Sequence, residues 1–287
     1  VTTLALPSEA ARKIRYLLTD VDDTITTGGK LLPETFQALH RLHGAGIQIV
    51  PVTGGCAGWC DQIARTWPVA AVIGENGAFH ITKDAGNRLI YHRWQEEETQ
   101  SANQGKILET AFEILAQCPS LQLAKDQSFR LADVAIDYNQ DVSRAPQEEV
   151  DFALGAFRRA GINAKASSIH INAWIGDFNK AKAARKLLGD KFGLQEQAMH
   201  EMVLYAGDAP NDEPMFAFFP NSVGMANIRP HWNSLSHHPA FVTEAESGLG
   251  FVEMADALLT AQTEQEGGES IKNSIGKPAK RAGNSVS

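Results

Sequence analysis

An apolar run near the start of the chain ends abruptly in carboxylates: Tyr16-Leu17-Leu18-Thr19-Asp20-Val21-Asp22-Asp23-Thr24. The run has the length of a short buried strand. Three carboxylates in four positions repel one another and lose hydration if the strand end is covered. A divalent cation that prefers hard oxygen ligands, such as Mg²⁺, makes the arrangement favourable. Taken alone, the cluster also fits an acidic turn in water. A second apolar run, residues 202–206, ends in Gly207-Asp208-Ala209-Pro210-Asn211-Asp212. Placed side by side in a parallel sheet, the two strand ends would line one crevice with carboxylates.

The order of elements supports that placement. Residues 14–18, 47–52 and 69–73 read as strands. Helical stretches at 33–43 and 57–67 separate them, the first opened by Pro33 and the second stopped by Pro68. This βαβαβ rhythm implies right-handed crossovers and a parallel sheet. The middle of the chain differs. Its predicted order is helix 106–117, strands 121–123 and 133–138, helix 146–160, then paired strands 162–167 and 168–174. That αββαββ order predicts a separate α+β module with helices on one face of its sheet. From Asn179 the strand–helix rhythm resumes, with a helix at 180–188, a strand at 202–206 and a last helix at 251–260. The expected organisation is an α/β core of residues 1–88 and 177–262, an inserted module of residues 89–176, and a tail of residues 263–287. The tail is rich in Glu, Gly, Ser, Asn and Lys, and no structure is assigned to it.

Composition narrows the function. A chain of 287 residues, 43% of them hydrophobic, has enough apolar mass for two domains. A formal net charge of −8 argues against nucleic acid or a membrane surface as a partner. No apolar stretch is long enough for a membrane span, and the first seven residues lack the pattern of a signal peptide. Three cysteines, an odd number, argue against a disulfide framework. A cytoplasmic location is therefore expected. Cys56 and Cys60, four apart, read as buried thiols on one helix face rather than as metal ligands.

The chemistry follows from the strand ends. Asp20 is the candidate nucleophile, since a carboxylate can attack phosphorus and split a difficult hydrolysis into two steps. Asp22, two residues on, can protonate the leaving alcohol and then deprotonate water. Asp20, Asp208 and the backbone carbonyl of Asp22 would hold Mg²⁺, with Asp212 as a further ligand or a support behind it. At a third strand end, Thr53 can donate its hydroxyl to a phosphate oxygen, and Gly54 lets the backbone approach it. Lys180, opening a helix, can neutralise phosphate and carboxylates, or be one of several solvated lysines beside Lys182 and Lys186.

Together, Asp20-Val21-Asp22-Asp23-Thr24, Thr53-Gly54, Lys180 and Gly207-Asp208-Ala209-Pro210-Asn211-Asp212 resemble the four motifs of the haloacid dehalogenase superfamily. The insert resembles its subclass IIB cap, and the resemblance spans roughly residues 12–262. It implies a Rossmann-like core, a mobile cap and a Mg²⁺-dependent phosphatase. Asp20, Asp22 and Asp208 would carry metal and chemistry, while Thr53, Lys180 and Asn211 would hold phosphate or orient carboxylates. Gly74-Glu75-Asn76-Gly77-Ala78 resembles the loop bordering the substrate pocket, so Glu75, Asn76 and Gly77 are expected there. Val223-Gly224-Met225-Ala226-Asn227 and Glu246-Ser247-Gly248-Leu249-Gly250 resemble the closing segments. Two positions depart from the pattern. Asp23 stands where Gly is usual, and Gly55 stands where many relatives place Arg.

In the insert, Ile169, Ile171 and Ala173 alternate with Ser168, His170, Asn172 and Trp174. If the apolar set packs on the cap helices, the polar set faces the core and suits a hydroxyl-rich ligand. Arg130 and Asp137 are candidates to join it. The alternative is a sheet face free of ligand, or one that dimerises, so a monomer and a homodimer are both admitted. The expected partner is a small phosphorylated metabolite, hydrolysed through an aspartyl-phosphate. A phosphosugar mutase and a non-catalytic sugar-phosphate binding or regulatory protein are the alternatives.

Overall fold

Leu17 and Leu18 are both fully buried. Neighbouring side chains on a strand point to opposite faces, so helices must cover both faces of the sheet that contains them. The computed structural model, which describes residues 8–275, shows how. The first part of the chain forms α1 (Ser8–Lys13), β1 (Tyr16–Thr19), α2 (Pro33–Gly44), β2 (Gln48–Pro51), α3 (Ala57–Thr66), β3 (Ala71–Gly74), β4 (Phe79–Lys83) and β5 (Leu89–Arg93). The insert adds α4 (Glu97–Leu115), β6 (Gln122–Leu123), β7 (Val134–Asp137), α5 (Gln147–Arg159), β8 (Asn163–Ala166) and β9 (His170–Trp174). The chain then returns through α6 (Lys180–Phe192), α7 (Glu196–Met202), β10 (Val203–Gly207), α8 (Glu213–Phe218), β11 (Ser222–Gly224), β12 (Phe241–Val242) and α9 (Ser247–Ile275).

The central sheet is parallel, in the order β12-β11-β10-β1-β2. Leu17, Ile49, Leu204 and Val223 pack on one side with residues of α2, α3 and α9. Leu18, Val50, Val203 and Tyr205 pack on the other with residues of α6 and α8. Each such side chain, fully buried, contributes roughly 1.5–3 kcal/mol. The register sets Thr19 of β1 between Ala206 of β10 and Pro51 of β2. Asp20, Asp208 and Thr53 thus follow the ends of three neighbouring strands, where the crevice of an open α/β sheet lies.

The insert is a four-stranded antiparallel sheet, β6-β7-β9-β8. Ile171 and Ala173 meet Ile107, Ala111 and Ile114 of α4 and Val150, Ala153 and Phe157 of α5. The apolar alternation on β9 therefore selects the helix-covered face, as expected.

The structure adds one hairpin and adjusts three boundaries. A hairpin absent from the sequence reading, β4–β5, pairs with β3, which a bridge from Val52 to Ile73 joins to β2. Its turn is held by the Asp84 carboxylate, which accepts the N–H groups of Gly86 and Arg88. Because β5 belongs to this layer, the cap module starts near Glu97 and not at residue 89. Helix α4 begins at Glu97 instead of residue 106, since no proline interrupts the stretch and Glu97 and Glu98 suit its first turn. Helix α9 continues to Ile275, so residues 263–275 of the expected tail are helical in backbone; Gln and Glu after Ala261 favour that propagation. The remaining tail residues, 276–287, lie outside the described residues. Among the described residues, no helix is long and apolar enough to cross a membrane.

Candidate active site

Asp20 leaves β1 with its N–H bonded to the Ala206 carbonyl at 2.8 Å. That bond continues the strand ladder by one residue and fixes the carboxylate next to β10. Helix α6 opens with Lys180 on a helix start capped by Asn179, whose Oδ1 accepts the Lys182 N–H at 2.9 Å. A cation in the first turn opposes the helix dipole. Lys180 is held there by two carboxylates, with Nζ 2.7 Å from Asp20 Oδ1 and 2.7 Å from Asp212 Oδ1. Burial alone would lower its pKa, but Asp20 and Asp212 override this and raise it. Lys180 is thus a buried, charged bridge and not a solvated lysine.

Asp208 is engaged differently. Thr24 donates to its Oδ1 at 2.8 Å and Asn227 to its Oδ2 at 2.9 Å. Neither donor is charged. Burial, then Asp20 and Asp212, push its carboxyl well above the ordinary range. Burial likewise raises Asp20 to about 7 against the pull of Lys180, with Asp212 and Asp22 adding to the rise. Asp20, Asp208 and Asp212 offer oxygens within 4.8 Å of one another. Of the three buried carboxylates only two are bonded to Lys180, and all the donors are hard oxygens. This donor set fits a divalent cation of the Mg²⁺ kind.

Asp212 is already saturated. Its Oδ1 accepts from Lys180 and, at 2.6 Å, from the Tyr205 hydroxyl; its Oδ2 accepts the N–H groups of Asp208 and Ala209 at 3.0 and 3.2 Å. Of the two roles expected of Asp212, these bonds suit the support, which orients Lys180 and the Asp208 loop. That loop needs Gly207, because a Cβ there would lie 2.5 Å from Asp212 Oδ2.

Asp20, Asp22, Thr53, Gly54, Arg130, His170, Asn172 and Asn211 line one cavity of about 720 Å³ between core and cap. Burial, then Asp23, raise the Asp22 carboxyl. Asn211 Oδ1 is buried without a partner. Thr53 Oγ1 accepts the Gly55 N–H at 2.8 Å, which leaves the hydroxyl proton to donate.

Other expected pocket residues serve the joint between the domains. Glu75 is fully buried and accepts the N–H groups of Ala57, Leu131, Ala132 and Asp133 at 2.7–3.1 Å. It ties the end of β3 to the cap, so its expected substrate contact is corrected. Asn76 backs Gly54: its N–H donates to the Thr53 carbonyl at 3.0 Å, and its Nδ2 is buried and unpaired. Gly77 packs under Asn179, where a Cβ would lie 2.6 Å from the carbonyl oxygen; it seats the start of α6 and does not border the cavity.

Arg130 reaches the cavity wall with all three of its nitrogens engaged. It donates to both Asp126 oxygens, both Asp133 oxygens and, at 3.0 Å, the Gly54 carbonyl. Asn172 Nδ2 donates to Asp133 at 3.0 Å and to the same Gly54 carbonyl at 3.3 Å. Both residues clamp the cap to the core. Trp174 is buried at the hinge, donating from Nε1 to the Phe178 carbonyl at 3.1 Å, and it is absent from the cavity lining. Asp137 caps the following turn, accepting the N–H groups of Asn139, Gln140 and Asp141. The sequence reading passed over Thr24, Tyr205 and Asn227 as site residues, although Thr24 and Asn227 stand inside the quoted motifs.

Asp23 sits at φ 56°, the left-handed region that favours glycine. It compensates by accepting the Gly28 N–H at 3.1 Å. Asp23→Ala should destabilise the protein by about 1 kcal/mol, whereas Asp23→Gly should be close to neutral. Urea midpoints of the three proteins check this; an Ala variant as stable as wild type would remove the strain argument.

No family model and no curated protein matches the sequence. Solved structures do match. The C-terminal domain of trehalose-6-phosphate phosphatase from C. albicans is 14% identical with a TM-score of 0.65, over 90% of this chain and 98% of that one. A haloacid dehalogenase-like hydrolase from Bacteroides thetaiotaomicron is 16% identical with a TM-score of 0.59, over 85% and 99%. A subclass IIB sugar phosphatase is 14% identical with a TM-score of 0.55, over 80% and 93%. Such identities speak for the fold, and the fold of this chain is that of the haloacid dehalogenase-superfamily hydrolases, a parallel α/β core with an inserted α+β cap.

Proposed function

We propose that the protein is a Mg²⁺-dependent phosphatase acting on a phosphorylated sugar or sugar-like metabolite. The observation that carries this reading is the convergence of Asp20, Asp22, Asp208 and Thr53 at three adjacent strand ends, with Lys180 bonded to Asp20 and with Asp20, Asp22 and Thr53 lining the cavity. The substrate class is supported by the solved sugar phosphatases of the same fold and by the polar cap wall.

Mg²⁺ would be held by Asp20, Asp208 and the Asp22 backbone carbonyl, and when bound it supplies charge neutralisation for carboxylates and phosphoryl oxygens. Lys180 holds Asp20 through Oδ1, leaving Oδ2 to attack phosphorus. As the P–O bond to the sugar breaks, Asp22 gives its proton to the departing oxygen. Thr53 donates its hydroxyl to a phosphoryl oxygen, and Gly54 lets backbone approach the group. Asp22, now ionised, takes a proton from water that attacks the phosphorus on Asp20. The P–O bond to Asp20 breaks, releasing phosphate and regenerating both carboxyl groups. The test is phosphate release from a panel of phosphate monoesters with Mg²⁺ and with chelator. Release from no ester, or release indifferent to chelation, would overturn the reading.

The raised carboxyls also predict a pH-dependent metal response. Asp20 binds its proton more tightly in the fold, to about 7 against an ordinary 3.8. Its contribution to metal-free stability therefore falls as pH rises through that window and is constant above it. Protons compete with Mg²⁺ for the same oxygens. The rise in melting temperature on adding Mg²⁺ should be larger at about pH 8 than at about pH 5.5. A rise that is equal at both, or larger in acid, would contradict the proposed ligands.

A further inference from the structure

The cavity extends well beyond the phosphate site. Its volume of about 720 Å³ falls in the range that holds ligands far larger than a phosphate group. Trp59 of α3, with Trp67 just past its end, walls the core side. Trp59 keeps 59% of its surface exposed. A scattered exposed aromatic needs no explanation, but this one lines a cavity whose cap wall carries buried, unpartnered polar atoms. These are Ser168 Oγ and His170 Nε2. Burial, then Arg130, lower the His170 pKa, so the ring is neutral near pH 7 and can donate or accept a hydrogen bond.

Charge restricts what fills this space. Arg130 is consumed by Asp126, Asp133 and Gly54. Among the described residues that line the cavity, Lys30 is the one cation outside the catalytic bridge and this clamp, and it is exposed. Asp23 and Asp126 also line the wall. A second phosphate finds no built cationic site and meets two carboxylates.

Resting on the phosphatase reading above, we propose that Trp59 is the stacking platform of a leaving-group subsite on the core, and that the leaving group is an uncharged sugar of more than one ring. The indole takes the apolar ring face, while Ser168 and His170 bond hydroxyl groups. A monosaccharide ester leaves much of so large a cavity unfilled.

The test compares wild type, Trp59→Ala and Trp59→Phe. Substrates are trehalose 6-phosphate and maltose 6-phosphate, glucose 6-phosphate, a nucleoside monophosphate, a sugar bisphosphate, and acetyl phosphate as a ringless reference. Trp59→Ala should lower kcat/KM for a disaccharide phosphate at least about tenfold more than for acetyl phosphate, chiefly through KM. Trp59→Phe should recover most of that loss. A separate readout does not depend on hydrolysis: calorimetric binding of phosphate-free trehalose and maltose to metal-free protein. One of the two should bind, and at least about tenfold more weakly to Trp59→Ala. Equal losses on all esters, preference for the nucleotide or bisphosphate, or no Trp59-dependent sugar binding would overturn the proposal. Sugar binding through Trp59 without hydrolysis of any ester would uphold the subsite and defeat the phosphatase reading. Hydrolysis indifferent to Trp59 would do the reverse.

Discussion

Replacing Asp20 by Asn is expected to lower phosphate release by on the order of 10³-fold or more. The amide keeps the size of the carboxylate, so the β1 end and its bond to Ala206 should persist. It cannot supply the attacking oxygen anion, and it removes one negative charge from the metal site. Lys180 then keeps only one of its two carboxylate partners, Asp212, and Mg²⁺ affinity should fall with turnover. Steady-state phosphate release, read beside a melting curve that confirms folding, checks the prediction. Activity within tenfold of wild type, about 1.4 kcal/mol of barrier, would sink the nucleophile assignment.

Asp22→Asn should separate turnover from binding. Asp22 lines the cavity, and among the described residues no donor bonds its side chain. Asparagine cannot give a proton to the departing alcohol, so kcat should fall roughly 10²-fold or more. Substrate affinity should change little, because only the backbone carbonyl is assigned to the metal. The deficit should shrink with acetyl phosphate, whose leaving group departs without a proton. A loss of affinity with kcat unchanged, or an equal deficit on both kinds of ester, would show that Asp22 has another role.

The cap–core joint explains why several expected pocket residues are not free to bind ligand. Glu75, Arg130 and Asn172 carry the right chemistry for a sugar phosphate, but the Glu75 carboxylate, the Arg130 nitrogens and the Asn172 Nδ2 are bonded across the joint. A guanidinium looks the same in sequence whether it faces a ligand or two aspartates. Only the placement of Asp126 and Asp133 beside Arg130 decides the matter. Trp59 lines the cavity and Trp174 does not, for a similar reason. Alternation along β9 sets Trp174 on the polar face, yet at the strand end that face meets Phe178 and Trp94 of the core. Trp59 lies on a helix, where an exposed aromatic carries no signal until the cap closes a cavity over it.

The sequence by itself determined the parallel core, the inserted α+β module and the strand-end residues Asp20, Thr53 and Asp208. Apolar runs and their periodicity are local properties, and a carboxylate placed directly after such a run must emerge at the sheet's edge wherever the strand pairs. The tertiary structure alone decided the division of labour among the polar residues. It made Lys180 a bridge, filled both oxygens of Asp212, turned Glu75 and Arg130 into fastenings and opened the Trp59 wall. Hydrogen bonds and ion pairs act over about 3 Å, and the partners here can lie far apart in the chain, as Thr24 and Asp208 do at 184 positions. Such pairings are set by the packing of whole elements, which no local pattern of residues encodes.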